Sequence, residues 1–189
     1  MANRPPIPPP TERASKGQPL ERATDRQIFH VGDGVAVAQY GRLCVVIWRD
    51  AVTRPRFERQ RAGLAAVVRN QPDGAGFLCV IEPSSKPPDE ELRRASTEMI
   101  ASHGEHLKCT AVVVQGEGFK AAITRSVLSG MTLLFSRKVE TKFCSNTPAA
   151  LKWMRAHLDI PYPEQAATFV DEVQRRLDES GPVPESNRG

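Results

Sequence analysis

The feature that most constrains this chain is an alternation between residues 28 and 158. Short, nearly all-apolar runs are separated by segments with helical periodicity. Leu43-Cys44-Val45-Val46-Ile47-Trp48, Gly76-Phe77-Leu78-Cys79-Val80-Ile81 and Cys109-Thr110-Ala111-Val112-Val113-Val114 are strands of the kind buried on both faces. Between them the period changes. Over 54–70, Phe57, Leu64, Val67 and Val68 share one helical face, with Pro55 near the start where it is tolerated. Pro87-Pro88-Asp89-Glu90-Glu91 opens a second helix with acids in its first turn, and its stripe is Leu92, Ala95, Met99 and Ile100, ending near Gly104. A third helix is predicted over 119–134 and a strand over 139–144. A fourth helix has Thr147 as N-cap, Pro148 at its first position, and Ala150, Leu151, Met154 and Leu158 on its apolar side. Upstream, Ile28–Val31, the turn signal Gly32-Asp33-Gly34, Val35–Tyr40, and Gly41-Arg42 before Leu43 read as two or three antiparallel strands. The expected fold class is α/β: a mixed sheet with an N-terminal β-hairpin followed by α-β-α-β-α-β-α. Its strand–helix–strand units pair in parallel through right-handed crossovers.

The ends differ from this core. Residues 1–25 carry Pro5, Pro6, Pro8, Pro9, Pro10 and Pro19 with almost no apolar content, and are expected to be a disordered Pro-rich leader. The α/β domain is placed at 26–158. Residues 159–189 form a Pro-hinged C-terminal helix (164–178, with Val170, Val173 and Leu177 on one side) and a polar tail. Burial of that stripe requires the helix to pack back on the domain or against a second copy; packing back is the default. No stretch has the ~18 or more apolar residues that span a bilayer, and the start lacks the apolar region of a secretory signal, so a cytoplasmic location is expected. Cys44, Cys79, Cys109 and Cys144 lie far apart inside apolar runs with no C-x-x-C pair, as reduced buried thiols do. No metal site or cofactor is expected.

Few residues offer chemistry. Ser84 and Ser85 lie just ahead of the second helix. A phosphate would be accommodated there; the alternative is a solvated turn capping the helix. Arg54, Arg56, Arg59 and Arg61 crowd the start of the first helix, where cations oppose the dipole. They read as a basic contact patch, or as a charged face on which Arg54, Glu58 and Arg61 pair. Gly116-Glu117-Gly118-Phe119-Lys120-Ala121 fits a dinucleotide fingerprint in form. Glu117 would set a negative charge beside a pyrophosphate, and a close helix–strand turn explains the glycines as well. His30, His103, His106 and His157 form no ligand pattern, and no triad is assembled. A net charge of +4 permits acidic partners without itself arguing for nucleic acid, and with only 6% aromatic residues for stacking, nucleic acid is not an expected partner.

The element order, the stretch from Ala111-Val112-Val113-Val114 through the following helix, and Ala150-Leu151-Lys152-Trp153-Met154 resemble the STAS-like, SpoIIAA-like group related to anti-sigma-factor antagonists. The resemblance covers about residues 27–158. It implies a β-hairpin followed by alternating helices and strands. It also implies a non-enzymatic role in bacterial signalling through protein–protein contact, or in some branches binding of a small or lipidic ligand. In the antagonist branch a serine at the start of the helix after a central strand is phosphorylated, and Ser84 and Ser85 fall in that region. The expected function is therefore a non-catalytic regulatory or adaptor module with a protein partner and Ser84, Ser85 as contact or phosphorylation loop. The alternative is a small-molecule or lipid-binding module with a pocket between sheet and helices. Its lining would come from 92–100 and 119–134, including Met131, Leu133, Leu134 and Phe135. Homo-oligomer formation stays open.

Overall fold

The computed structural model describes residues 26–116 and 139–181. The predicted helix at 119–134, most of the Gly116–Ala121 motif, and Met131, Leu133, Leu134 and Phe135 lie outside the described residues. The elements run β1 (Arg26–Gly32), β2 (Val35–Tyr40), β3 (Leu43–Trp48), α1 (Arg54–Asn70), β4 (Ala75–Ile81), α2 (Glu90–Ser102), β5 (Leu107–Val114), β6 (Glu140–Cys144), α3 (Thr147–Met154) and α4 (Pro163–Glu179). The six strands form one sheet in sequence order. β1, β2 and β3 are antiparallel; β3 to β6 are parallel. This is the mixed α/β sheet, opened by a hairpin, that the sequence specifies.

The first turn shows why. Asp33 and Gly34 both take positive φ, 50° and 67°. A two-residue connection of that hand matches the twist of the strands it joins, and an Asp-Gly pair adopts it at low cost. Alternation then sorts the apolar side chains to two faces. Cys44, Val46 and Trp48 of β3 join Phe57, Leu64 and Val67 of α1 and Met99 and Ile100 of α2 on one face. Leu43, Val45 and Ile47 join Leu151 and Met154 of α3 and Phe169, Val173 and Leu177 of α4 on the other. α1 comes unusually close to β2 at Gly63, where a Cβ would stand 2.3 Å from Val37 Cγ1.

α4 packs its stripe into the second of these cores, with Ala166, Phe169, Val170, Val173 and Leu177 all buried. Each large side chain contributes about 1.5–3 kcal/mol by leaving water. The helix starts at Tyr162, whose left-handed φ of 52° turns the chain after Pro161. The α3 cap falls one residue earlier than expected. Asn146 Oδ1 accepts from Ala149 N at 2.9 Å, so Thr147 and Pro148 fill the first two helical positions. Asn is the stronger N-cap residue, and Thr147 takes the first helical position, where it is buried. Among the described residues no helix is long and apolar enough to cross a membrane.

Candidate ligand site

A cavity of about 110 Å³ lies between the sheet and the α1–α2 layer. Its floor comes from β4, β5 and β6, through Cys79, Thr110, Val112 and Phe143. Phe57 and Gln60 of α1 and Met99 and Ile100 of α2 make the walls. Ser85, Lys86, Pro87 and Pro88 line it from the loop between β4 and α2; Lys86 and Pro87 are exposed, so this loop is the rim.

Thr110 reaches the cavity through a break in strand alternation. Ala75 pairs with Leu107, but Gly76 pairs with Cys109, so Lys108 is an extra residue in β5. Such a bulge reverses which residues face which side. Cys109, Ala111 and Val113 consequently enter the α3–α4 core, while Thr110 and Val112 line the cavity opposite. Thr110 is 5% exposed, and among the described residues its Oγ1 has no hydrogen-bond partner. Its neighbour across the ladder, Thr141, donates its own hydroxyl to the Val139 carbonyl at 3.3 Å. A second polar group is only half served. Trp48 Nε1 donates to Gln60 Oε1 at 3.0 Å, but the Gln60 amide has only Met99 Sδ, at 3.6 Å, as acceptor. Thioether sulfur is a weak acceptor. A mainly apolar cavity thus holds, among its few polar groups, one hydroxyl unpaired among the described residues and one weakly satisfied amide, the composition of a site that orients a small ligand.

The cavity thiol Cys79 is buried, which disfavours its thiolate. Burial pushes Cys79 up to about 12, and burial also raises Cys44, Cys109 and Cys144. All four cysteines are buried and free, as their scattered positions imply.

The rim loop is fastened to the strand ends. Ser84 Oγ donates to the Arg49 carbonyl at 2.8 Å, and Ser85 Oγ to the Asp50 carbonyl at 3.1 Å. Neither caps α2. That task falls to Asp89, which accepts from Leu92 N at 2.9 Å. Glu82, at the start of the loop, is a buried carboxylate held by Arg49 through two bonds of 2.7 and 3.1 Å, and by Gln174 of α4 at 2.8 Å. Arg49 also reaches Asp178 of α4, and its charge is further stabilised by the Glu82 bond. Gln174 bonds Gln115 as well. The C-terminal helix is therefore tied to the loop that rims the cavity.

The four arginines in the first half of α1 divide between two surfaces. Arg54 and Arg61 pair with Glu58 at 3.1 and 2.6 Å, and Arg54 also reaches Glu91 at 3.2 Å. Arg56 and Arg59 face the β1–β2 turn instead. Arg56 meets Asp33 at 3.0 Å and the Ala51 carbonyl at 2.7 Å; Arg59 meets Asp33 at 3.4 Å and His30 Nε2 at 2.7 Å. The bond from Arg56 holds the Asp33 carboxyl below its usual range. Burial, and then the neighbouring His106, lowers His103. Sequence reasoning missed Thr110, Gln60, Lys86, Arg49, Glu82 and Gln174. The available signals were a Thr inside an apolar strand and a Gln on the apolar stripe of α1, since buried polar residues are the informative ones.

No family model and no curated protein matches this chain. A solved structure is similar: an uncharacterized protein from the DUF3478 family with a SpoIIAA-like fold, from Shewanella loihica PV-4. It is 14% identical, the match covers 68% of this chain and 94% of that one, and the TM-score is 0.44. The fold named there is the one the sequence resemblance implied; a likeness of this size carries no argument about function.

Proposed function

We propose that this chain is a non-catalytic regulatory module that binds a small, mainly apolar ligand in the cavity and presents its rim loop, 82–88, to a protein partner. The carrying observation is the orphaned Thr110 hydroxyl inside an apolar cavity. An unpaired buried hydroxyl costs about 1–3 kcal/mol, which a ligand atom able to accept or donate a hydrogen bond recovers. The non-catalytic part rests on the candidate nucleophiles. The cavity thiol is held as the neutral form, and both rim serines donate to backbone carbonyls rather than to a base. The loop itself suits a contact surface, since Pro83, Ser84, Lys86 and Pro87 are exposed.

Native mass spectrometry of gently purified protein tests the ligand half. Excess mass that disappears on denaturation, together with a thermal shift on adding the recovered compound, supports it. A bare mass with no stabilisation by any recovered extract opposes it. Affinity capture by the intact chain, repeated with Pro83, Lys86 and Pro87 changed to Ala together, tests the partner half; a partner whose capture is unaffected is not bound through this loop.

A phospho-regulated form of the same reading is favoured by Ser84. It is exposed, and its hydroxyl is a tether between loop and β3 exit. Phosphorylation would remove that donor and set a dianion near Glu82, loosening the loop. If Ser84→Asp and Ser85→Asp leave partner capture unchanged, this form is dropped.

A further inference from the structure

We infer that the cavity takes a short-chain carboxylate whose anionic end pairs with Lys86 at the rim and whose body lies over Thr110; this rests on the ligand-binding reading above. Among the described residues Lys86 is the single charged side chain lining the cavity, and none of the described acids lines it. The acids around the loop are already engaged. Glu82 is held by Arg49, Asp50 faces Arg56 at 3.8 Å, Asp89 caps α2, Glu90 faces Arg94 at 3.7 Å, and Glu91 meets Arg54. Among the described residues Lys86 has no ion pair or hydrogen bond. Among the described residues the rim therefore offers one uncompensated cation above an apolar chamber, which favours an anionic ligand end and disfavours a cationic one.

Size sets the body. A dry apolar cavity of about 150 Å³ holds a benzene ring. At about 110 Å³ this chamber suits an unbranched or once-branched chain of roughly four to six carbons. The Thr110 hydroxyl can donate or accept, so a hydroxyl or keto oxygen on that chain gains a hydrogen bond that a plain alkyl chain lacks.

The test uses the full chain and three probes with the same body: hexanoate, hexan-1-ol and hexylammonium. Binding is read by ligand-observed NMR and thermal shift. Hexanoate is expected to bind about two- to five-fold tighter than the alcohol, the size of an exposed ion pair, and hexylammonium weakest. Lys86→Gln should abolish the preference for hexanoate over hexan-1-ol while leaving the alcohol unchanged, and Lys86→Arg should restore it. Adding a keto oxygen, as in 5-oxohexanoate, should tighten binding in the wild type and not in Thr110→Val. Equal binding of hexanoate and hexan-1-ol, or a preference that survives Lys86→Gln, overturns the carboxylate assignment and leaves the cavity reading standing. If none of the probes binds and native mass spectrometry also shows no adduct, the cavity reading itself falls, and this inference with it.

Discussion

Replacing Thr110 by Val probes the orphaned hydroxyl directly. The two side chains have nearly the same shape and both are β-branched, so the substitution exchanges Oγ1 for a methyl group and little else. With no partner for Oγ1, the wild-type protein carries a desolvation cost of about 1–3 kcal/mol that Val does not. Part of this is lost if the hydroxyl is partly hydrated through the cavity, so the expected gain is about 1–2 kcal/mol. In a chain of this size each kcal/mol moves the melting midpoint by about 2–4 °C. Thr110→Val should therefore melt about 2–8 °C higher than wild type in ligand-free protein, with the same direction in urea. Thr110→Ser, which keeps the hydroxyl and loses a methyl group, should lose about 1 kcal/mol. A polar ligand at saturation should then stabilise the wild type more than the Val variant. Should Thr110→Val prove less stable than wild type, the hydroxyl is bonded in solution, for instance to an ordered water, and the observation that carries the functional reading is removed.

Three further outcomes follow from the geometry. Arg49→Met leaves the buried Glu82 carboxylate with only Gln174, and should cost about 2–3 kcal/mol in urea unfolding, since Arg49 is itself only about one-fifth exposed. The double variant Arg49→Met/Glu82→Leu should recover much of that loss, and additive losses would show that the pair is not coupled. Asp33 has its carboxyl pKa lowered by the Arg56 bond, so its contribution is complete above about 3.8, the ordinary value, and is lost as pH falls below that through the lower folded-state value. Melting curves from pH 6 to pH 2 should fall less steeply below pH 4 for Asp33→Asn, which keeps the positive-φ tolerance the turn needs; parallel curves would contradict the assignment. With Cys79 and Cys109 pushed up to about 12 and the other two thiols also raised, a disulfide reagent at pH 8 should find no fast thiol in native protein and four after unfolding. Rapid labelling of Cys79 would mean that the cavity admits the reagent to a thiolate.

The sequence carried the fold well because its two periods are strong and rarely conflict. The predicted helix over 54–70 coincides with α1, and the runs 43–48 and 76–81 lie within β3 and β4, because each segment has a strong apolar pattern bounded by Pro, Gly or a charge. The site was harder because none of its determinants is local. Alternation alone makes Thr110 one more residue of a strand buried on both faces; the bulge at Leu107–Cys109 decides which core it faces, and that bulge depends on pairing with Ala75 and Gly76. Gln60 lies on the same stripe as Phe57 and Leu64, where period predicts an apolar residue, and its purpose appears only when β3 brings Trp48 beside it. Arg49, Glu82 and Gln174 are 33 and 92 residues apart along the chain, and charge patterning within a helix cannot find such a group. The serines show the reverse case. Their position ahead of a helix suggested a cap, but two prolines move the helix start to Glu90, and Asp89 takes the cap. The freed hydroxyls instead tie the loop to the end of β3, and the loop's first residue is tied through Glu82 to α4.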